Sequence, residues 1–151
     1  MGRTVTSDVL RAVVEPLPHA ACAALSLPPD TEGVVLERLR LVDDELALYV
    51  INYLPMRFAD AVVHSDMGRG SLYEILEQHE GVEVFGGRRT LEAVVADDKL
   101  SRLLEVEPGS PLIYIESTSW NRSLEPFDFY CAWLRSDRIK IDVQVSSGPS
   151  G

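Results

Sequence analysis

The stretch Leu36-Glu37-Arg38-Leu39-Arg40-Leu41 sets two arginines at alternate positions of a β-prone, largely apolar run. Side chains at i and i+2 of a strand share a face and stand roughly 6.5 Å apart, so both guanidiniums point the same way. Neighbouring cations repel unless an anion sits between them, and each planar fork suits a carboxylate or phosphate. The alternative is a solvent-facing strand on which both arginines pair with local acids such as Glu37 or Asp44. A second feature is Ser71, three residues before Glu74 in the spacing of a capping box, with Tyr73 between them. A helix start carries unpaired N–H groups and partial positive charge, which attract anions, and Gly68 and Gly70 would let the backbone approach a ligand. The alternative there is an ordinary cap with Tyr73 in the core. Asp128 shares a strand face with Tyr130, Ala132 and Leu134, where it can accept from a ligand's hydroxyl or amine or serve as a strand-edge charge.

Other chemistries find no support. There is no G-x-S-x-G elbow, no phosphate loop, and no nucleophile beside a base. Cys22 and Cys131 lie in apolar sequence without metal-ligand spacing, and His19, His64 and His79 are scattered, so reduced thiols and no metal or cofactor are expected. With 24 acidic against 14 basic residues the formal net charge is −10, which gives the chain no counterion-release drive toward nucleic acid. Any basic site must be small and local. No apolar run approaches the roughly 20 residues of a membrane span, and the N-terminus lacks a signal peptide's apolar middle, so a cytoplasmic protein without membrane contact is expected.

The 151 residues, 46% of them apolar, suit one domain with its own core. Residues 1–8 read as a linker and 146–151 as a disordered Ser/Gly/Pro tail. Val9–Glu15 reads as a strand, His19–Ser26 as a short helix opened by Pro18, and Val34–Val42 with Leu46–Leu54 as a hairpin around an acidic turn. Met56–Arg69 is irregular. Ser71–Glu80 is a helix stopped by Gly81, with Leu72, Ile75, Leu76 and His79 on one face. Val82–Phe85 and Arg89–Ala96 read as strands around Gly86-Gly87, and Asp98 caps a helix over Lys99–Leu104. Leu112–Trp120 and Phe127–Leu134 form a second hairpin, and alternation over Ile139–Val145 predicts a last, half-buried strand. A short helix, a Pro-containing turn and a hairpin occur twice, about 80 residues apart, so the two units should fuse into one sheet. The class is α+β with a mainly antiparallel sheet and a few short helices.

In their order along the chain, ALSLPPDTEGVVLERLRLVDDELALYVINYLP, GRGSLYEILEQHEGV, LLEVEPGSPLIYIE and PFDFYCAWLRSDRIKI resemble the UTRA domain, the effector-binding half of HutC-type GntR transcription regulators. The resemblance covers nearly all of residues 8–145. It implies a chorismate-lyase-like fold, usually dimeric, whose small-molecule ligand controls an N-terminal winged helix-turn-helix that is absent from this chain. DNA would then be a partner only through that missing domain, as in a repressor. Arg38 and Arg40 match the family's R-x-R for the anionic part of effectors, and Ser71 and Tyr73 resemble its phosphate-binding pair. Asp128 falls where many members carry a glutamate that contacts the polar part of the ligand. Val50 stands where sugar-phosphate-sensing members tend to have a glutamate, and Leu134 where they tend to have a tyrosine. Both departures remove hydrogen-bonding groups, so the expected ligand is a small carboxylate or phosphate less hydroxylated than an amino-sugar phosphate. A lyase-like enzyme on the same fold is the alternative.

Overall fold

The computed structural model describes residues 3–67 and 71–148. Six strands among them form one antiparallel sheet in the order β1-β2-β3-β6-β5-β4. The strands are β1 (Val5–Pro16), β2 (Glu32–Val42), β3 (Glu45–Pro55), β4 (Gly86–Val95), β5 (Pro111–Trp120) and β6 (Pro126–Arg135). The helices are α1 (His19–Ala24), α2 (Ala59–Val63), α3 (Leu72–Glu80) and α4 (Asp98–Leu104), with a 3-10 turn at Met56–Phe58. This is the α+β, chorismate-lyase-like arrangement expected.

The repeat is real at the level of the backbone. β1-α1-β2-β3 and β4-α4-β5-β6 follow the same course and meet along β3 and β6, where Ile51 faces Cys131. Ser26 and Glu105, just past α1 and α4, both turn left-handed, at φ 57° and 56°. Asp30 and Gly109 repeat the match one turn later, at φ 63° and 85°. Left-handed backbone costs L-residues about 1–2 kcal/mol, so its use twice at the same place marks a shared turn. The β2–β3 hairpin closes through Asp43 and Asp44, both at positive φ, as a two-residue turn matched to strand twist requires.

The helices divide between the two faces of the sheet. α1 buries Ala21 and Cys22 against Val35 and Phe129, and α4 buries Leu104 against Tyr49 and Leu112. On the opposite face α2 and α3 lay Ala61, Val62, Leu72, Ile75 and Leu76 on Val34, Leu36, Leu54 and Phe127. β5 and β6 slip register between Ser119 and Trp120, where Ser119 pairs with Asp128 and Trp120 with Pro126. Phe127 is the unpaired extra residue of this bulge, so Phe127 and Asp128 both turn toward α3.

Several expectations need correction. The stretch read as linker supplies Val5–Asp8 to β1, opposite Val42–Leu39. The first helix ends at Ala24, because Ser26 is already left-handed. The last full helix is capped by Asp97, whose carboxylate accepts from the Leu100 N–H at 2.8 Å, not by Asp98. Phe58, Ala61 and Val62 bury a helical face within the segment expected to be irregular. Gly86-Gly87 is no turn: β4 runs through it and Val82–Phe85 is not a strand. A Cβ on Gly86 would stand 2.6 Å from the Trp120 Nε1, so this glycine serves close packing of an indole. Ile139–Val145 forms no strand, and Val143 and Val145 are exposed. It leaves from β6, whose two neighbours β3 and β5 already occupy both edges, so alternation finds no adjacent ladder to join. His79 is exposed, and Cys131 is only half-buried; both cysteines are free. Gly68, Gly70 and residues 149–151 lie outside the described residues.

Candidate functional site

Where α3 begins above the middle of the sheet, a cavity of about 260 Å³ opens. Arg38 and Arg40 of β2 form one wall. Leu48 and Val50 of β3, Ile115 of β5, and Ala132 and Leu134 of β6 make an apolar floor. Ser71, Leu72 and Tyr73 close it from the helix side, and Arg89 of β4 stands at its border. Strand alternation alone places the arginines here: Arg38 faces Val50 and Arg40 faces Leu48 across the β2–β3 ladder.

Arg38 is only 3% exposed, and its Nε and Nη1 have no hydrogen-bond partner. Its Nη2 donates to Asn52 Oδ1 at 2.9 Å. Asn52 Nδ2 donates in turn to Asp128 Oδ1 at 2.9 Å, and the Tyr73 hydroxyl donates to Asp128 Oδ2 at 2.6 Å. Ser119 Oγ lies 3.3 Å from the same hydroxyl. Arg40 is held by Nε donating to Ser7 Oγ at 3.0 Å. Neither arginine forms an ion pair with Glu37 or Asp44; Glu37 is engaged on the other face by Tyr49 and Arg11.

Burial sets the electrostatics. It pushes the Arg38 guanidinium down to about 10, with help from neighbouring Arg40, while Asp128 pulls the other way. Arg38 therefore stays charged at neutral pH. Arg40 is lowered by burial as well. Asp128, fully buried, is pushed up to about 6 by desolvation, against the hydrogen bonds from Asn52 and Tyr73 and the charge of Arg38. Burial raises the Tyr73 hydroxyl, and the adjacent carboxylate raises it further.

Of the residues singled out by sequence, Arg38, Arg40, Ser71, Tyr73, Val50 and Leu134 line this one cavity. Asp128 does not: it stands behind Asn52 and Tyr73, so the expected direct contact with a ligand's polar part is replaced by support from behind. Tyr73's hydroxyl proton is committed to Asp128. Ser71 caps α3 by accepting from the Glu74 N–H at 3.2 Å. Sequence reasoning missed Asn52 and Arg89. A lone amide in the apolar run YVINYLP was the available signal for the first. Arg89 was hidden by reading Gly86-Gly87 as a turn. Among the described residues no group of three or more His, Cys, Asp or Glu side chains is placed to hold a metal. No helix among them is long and apolar enough to cross a membrane.

A family model described as the UTRA domain matches residues 1–140. The chain belongs to the UTRA domain family. Among curated proteins this UTRA domain is 20% identical over 146 residues to an HTH-type transcriptional regulator, YurK of Bacillus subtilis (strain 168). The match takes in 97% of this chain and 60% of that relative, so the chain spans less than two thirds of its length. The ligand-binding domain of a GntR-family regulator from Bordetella bronchiseptica superposes with a TM-score of 0.88 at 21% identity, over 97% of this chain and 91% of that one. The effector domain of PhnF from Mycobacterium smegmatis does so at 0.88 and 14%, over 96% of this chain and 89% of that one. At such identities the likeness establishes the fold, and the family membership supports a ligand-binding regulatory domain.

Proposed function

We propose that this UTRA domain is the effector-binding part of a HutC-type GntR transcription regulator and senses a small metabolite through its carboxylate or phosphate. Arg38 and Arg40 grip the anion, aided by the N–H groups at the start of α3 and by Ser71. Leu48, Val50, Ile115, Ala132 and Leu134 take the rest of the molecule. All five are apolar where a hydroxyl-rich ligand would need partners, which supports a less hydroxylated effector than an amino-sugar phosphate. Arg89 is added to the site as a third cation at its border.

One observation carries the reading: a guanidinium 3% exposed, beside a cavity, with Nε and Nη1 unpartnered. A buried donor left unpaired costs about 1–3 kcal/mol, and more when charged, so such a group makes sense where a ligand completes it. The bound anion would join β2 to α3. It shifts the regulator only as far as its affinity differs between two arrangements of that helix. DNA is reached through a winged helix-turn-helix domain outside this chain, and the working unit is a homodimer in the cytoplasm.

Calorimetry with a panel of small carboxylates, phosphates and their neutral amides tests this. Anions bind and the amides do not. Arg38→Ala weakens the best anion by about 2 kcal/mol or more, roughly 30-fold, because a charge-assisted contact is lost. Wild-type affinity in that variant removes Arg38 from the site. A strong response to an amino-sugar phosphate with none to apolar acids would reverse the assignment of ligand class.

A further inference from the structure

The cavity's cations come with an acid that no ligand can touch. Asp128 is fully buried on β6, and the charged and titratable groups that act on it come from other elements: Arg38 from β2, Arg89 from β4 and Tyr73 from α3, with Tyr130 following it on β6 itself. Between Asp128 and Arg38 stands a single amide, Asn52, accepting from the arginine and donating to the acid. An anion seated on Arg38 would thus lie on one side of the guanidinium with a second negative charge a short relay away on the other. In a buried setting two like charges so placed are coupled, and binding of one favours neutralisation of the other.

We propose that Asp128 is the internal counter-charge of the anion pocket, and that seating a doubly charged anion on Arg38 and Arg40 takes up one proton from solvent onto Asp128. This deepens the anion-sensing reading and rests on it. The hydroxyls around Asp128 are arranged to accept that proton without breaking the network. On protonation, Oδ2–H donates to the Tyr73 oxygen, and the Tyr73 hydroxyl turns its own proton to Ser119 Oγ, 3.3 Å away. Oδ1 keeps accepting from Asn52, so the amide still presents its oxygen to Arg38. The raised affinity of Asp128 for a proton agrees with this, since the empty pocket already holds the carboxylate near its titration range. Asp128 is thereby a positioning and charge-setting residue: ionised, it suits the pocket to a singly charged carboxylate; protonated, to a dianion such as phosphate.

Sulfate is the probe, because its charge stays at two across the working range. Calorimetry at pH 7 in two buffers of different ionisation enthalpy counts protons exchanged on binding. The wild-type chain takes up about one proton per sulfate, and its affinity falls toward tenfold per pH unit as pH rises from about 6.5 to 7.5. Asp128→Asn mimics the protonated acid, with Oδ1 accepting from Asn52 and the amide facing Tyr73. It binds sulfate with no proton uptake and no such pH dependence. Acetate, a monoanion, draws less proton uptake than sulfate. Sulfate binding by the wild type without proton uptake overturns the proposal while leaving the anion site standing, and this result needs no variant to fold. No sulfate binding by either protein overturns the anion reading and the proposal together.

Discussion

The two halves of the sheet share a backbone and differ in chemistry. Arg38 pairs with Val50 and Arg40 with Leu48 in the first half; at the matching rungs of the second, Ser117 pairs with Tyr130 and Ser119 with Asp128. The cation pair therefore comes from one repeat, and the acid, the serines and the border cation Arg89 from the other. Both sets face the same side and meet across the β3–β6 seam, where Asn52 of the first half lies opposite Tyr130 of the second. The α2–α3 insertion packs on Val34, Leu36 and Leu54 of the first half, whereas β4 of the second is exposed along nearly its whole length. The repeat builds a frame, and the site arises where the repeat is broken. A binding pocket in such a fold is best sought at those facing positions at which matched rungs carry unlike residues.

The comparison can be broken hardest at Phe127, the residue of the second half that anchors the insertion. It is fully buried, edge-on to Phe58 and Tyr73 at centroid distances of 6.4 and 6.3 Å. Phe127→Ala is expected to cost about 3–5 kcal/mol in urea unfolding. A loss under 1 kcal/mol would mean the insertion is held elsewhere.

Asp128 is next. Its carboxyl is raised from 3.8 to about 6 in the folded chain, so the folded state binds the proton more tightly than the unfolded one. Stability from this group then declines as pH rises from about 4 to about 6, and the full cost of burying the ionised form, roughly 3 kcal/mol, is present above that. Asp128→Asn should accordingly be more stable than wild type at pH 7.5, by up to that amount, with the difference vanishing near pH 4. Equal unfolding curves at both pH values would show that the acid is comfortably ionised.

Gly33 sharpens the comparison, since its matched residue is Leu112, buried to 2% exposure. In the first half a Cβ would stand 2.5 Å from the Leu54 carbonyl oxygen and 2.7 Å from Leu17 Cδ1. Gly33→Ala should destabilise by roughly 1–3 kcal/mol as an overpacked site. The smallest effect belongs to the shared turn. Glu105→Gly relieves a left-handed residue at φ 56° and should stabilise by up to about 1 kcal/mol, with Ser26→Gly doing likewise. If one gains and the other loses, the two turns are not equivalent.

Much of this frame was legible before any coordinates. Both hairpins carry β-branched and aromatic runs broken by short turns, and the nine residues of α3 carry an apolar face between the cap Ser71 and the stop Gly81. Arg38 and Arg40 followed from strand alternation. What stayed hidden depended on three-dimensional neighbours. Gly86 reads as a turn until the Trp120 indole is seen against it, and Ile139–Val145 reads as a strand until its exit from a fully paired strand is known. The role of Asp128 needed the bulge that turns both Phe127 and Asp128 toward α3, which no local pattern announces.

The central claim is that an anion belongs between the two arginines and the start of α3. Crystals grown with selenate, whose anomalous scattering identifies it, test this directly. A peak within hydrogen-bond reach, about 2.7–3.2 Å, of the free Arg38 nitrogens and of Arg40 is the expected result. Arginines swung into solvent over a cavity with no anomalous density would contradict the account.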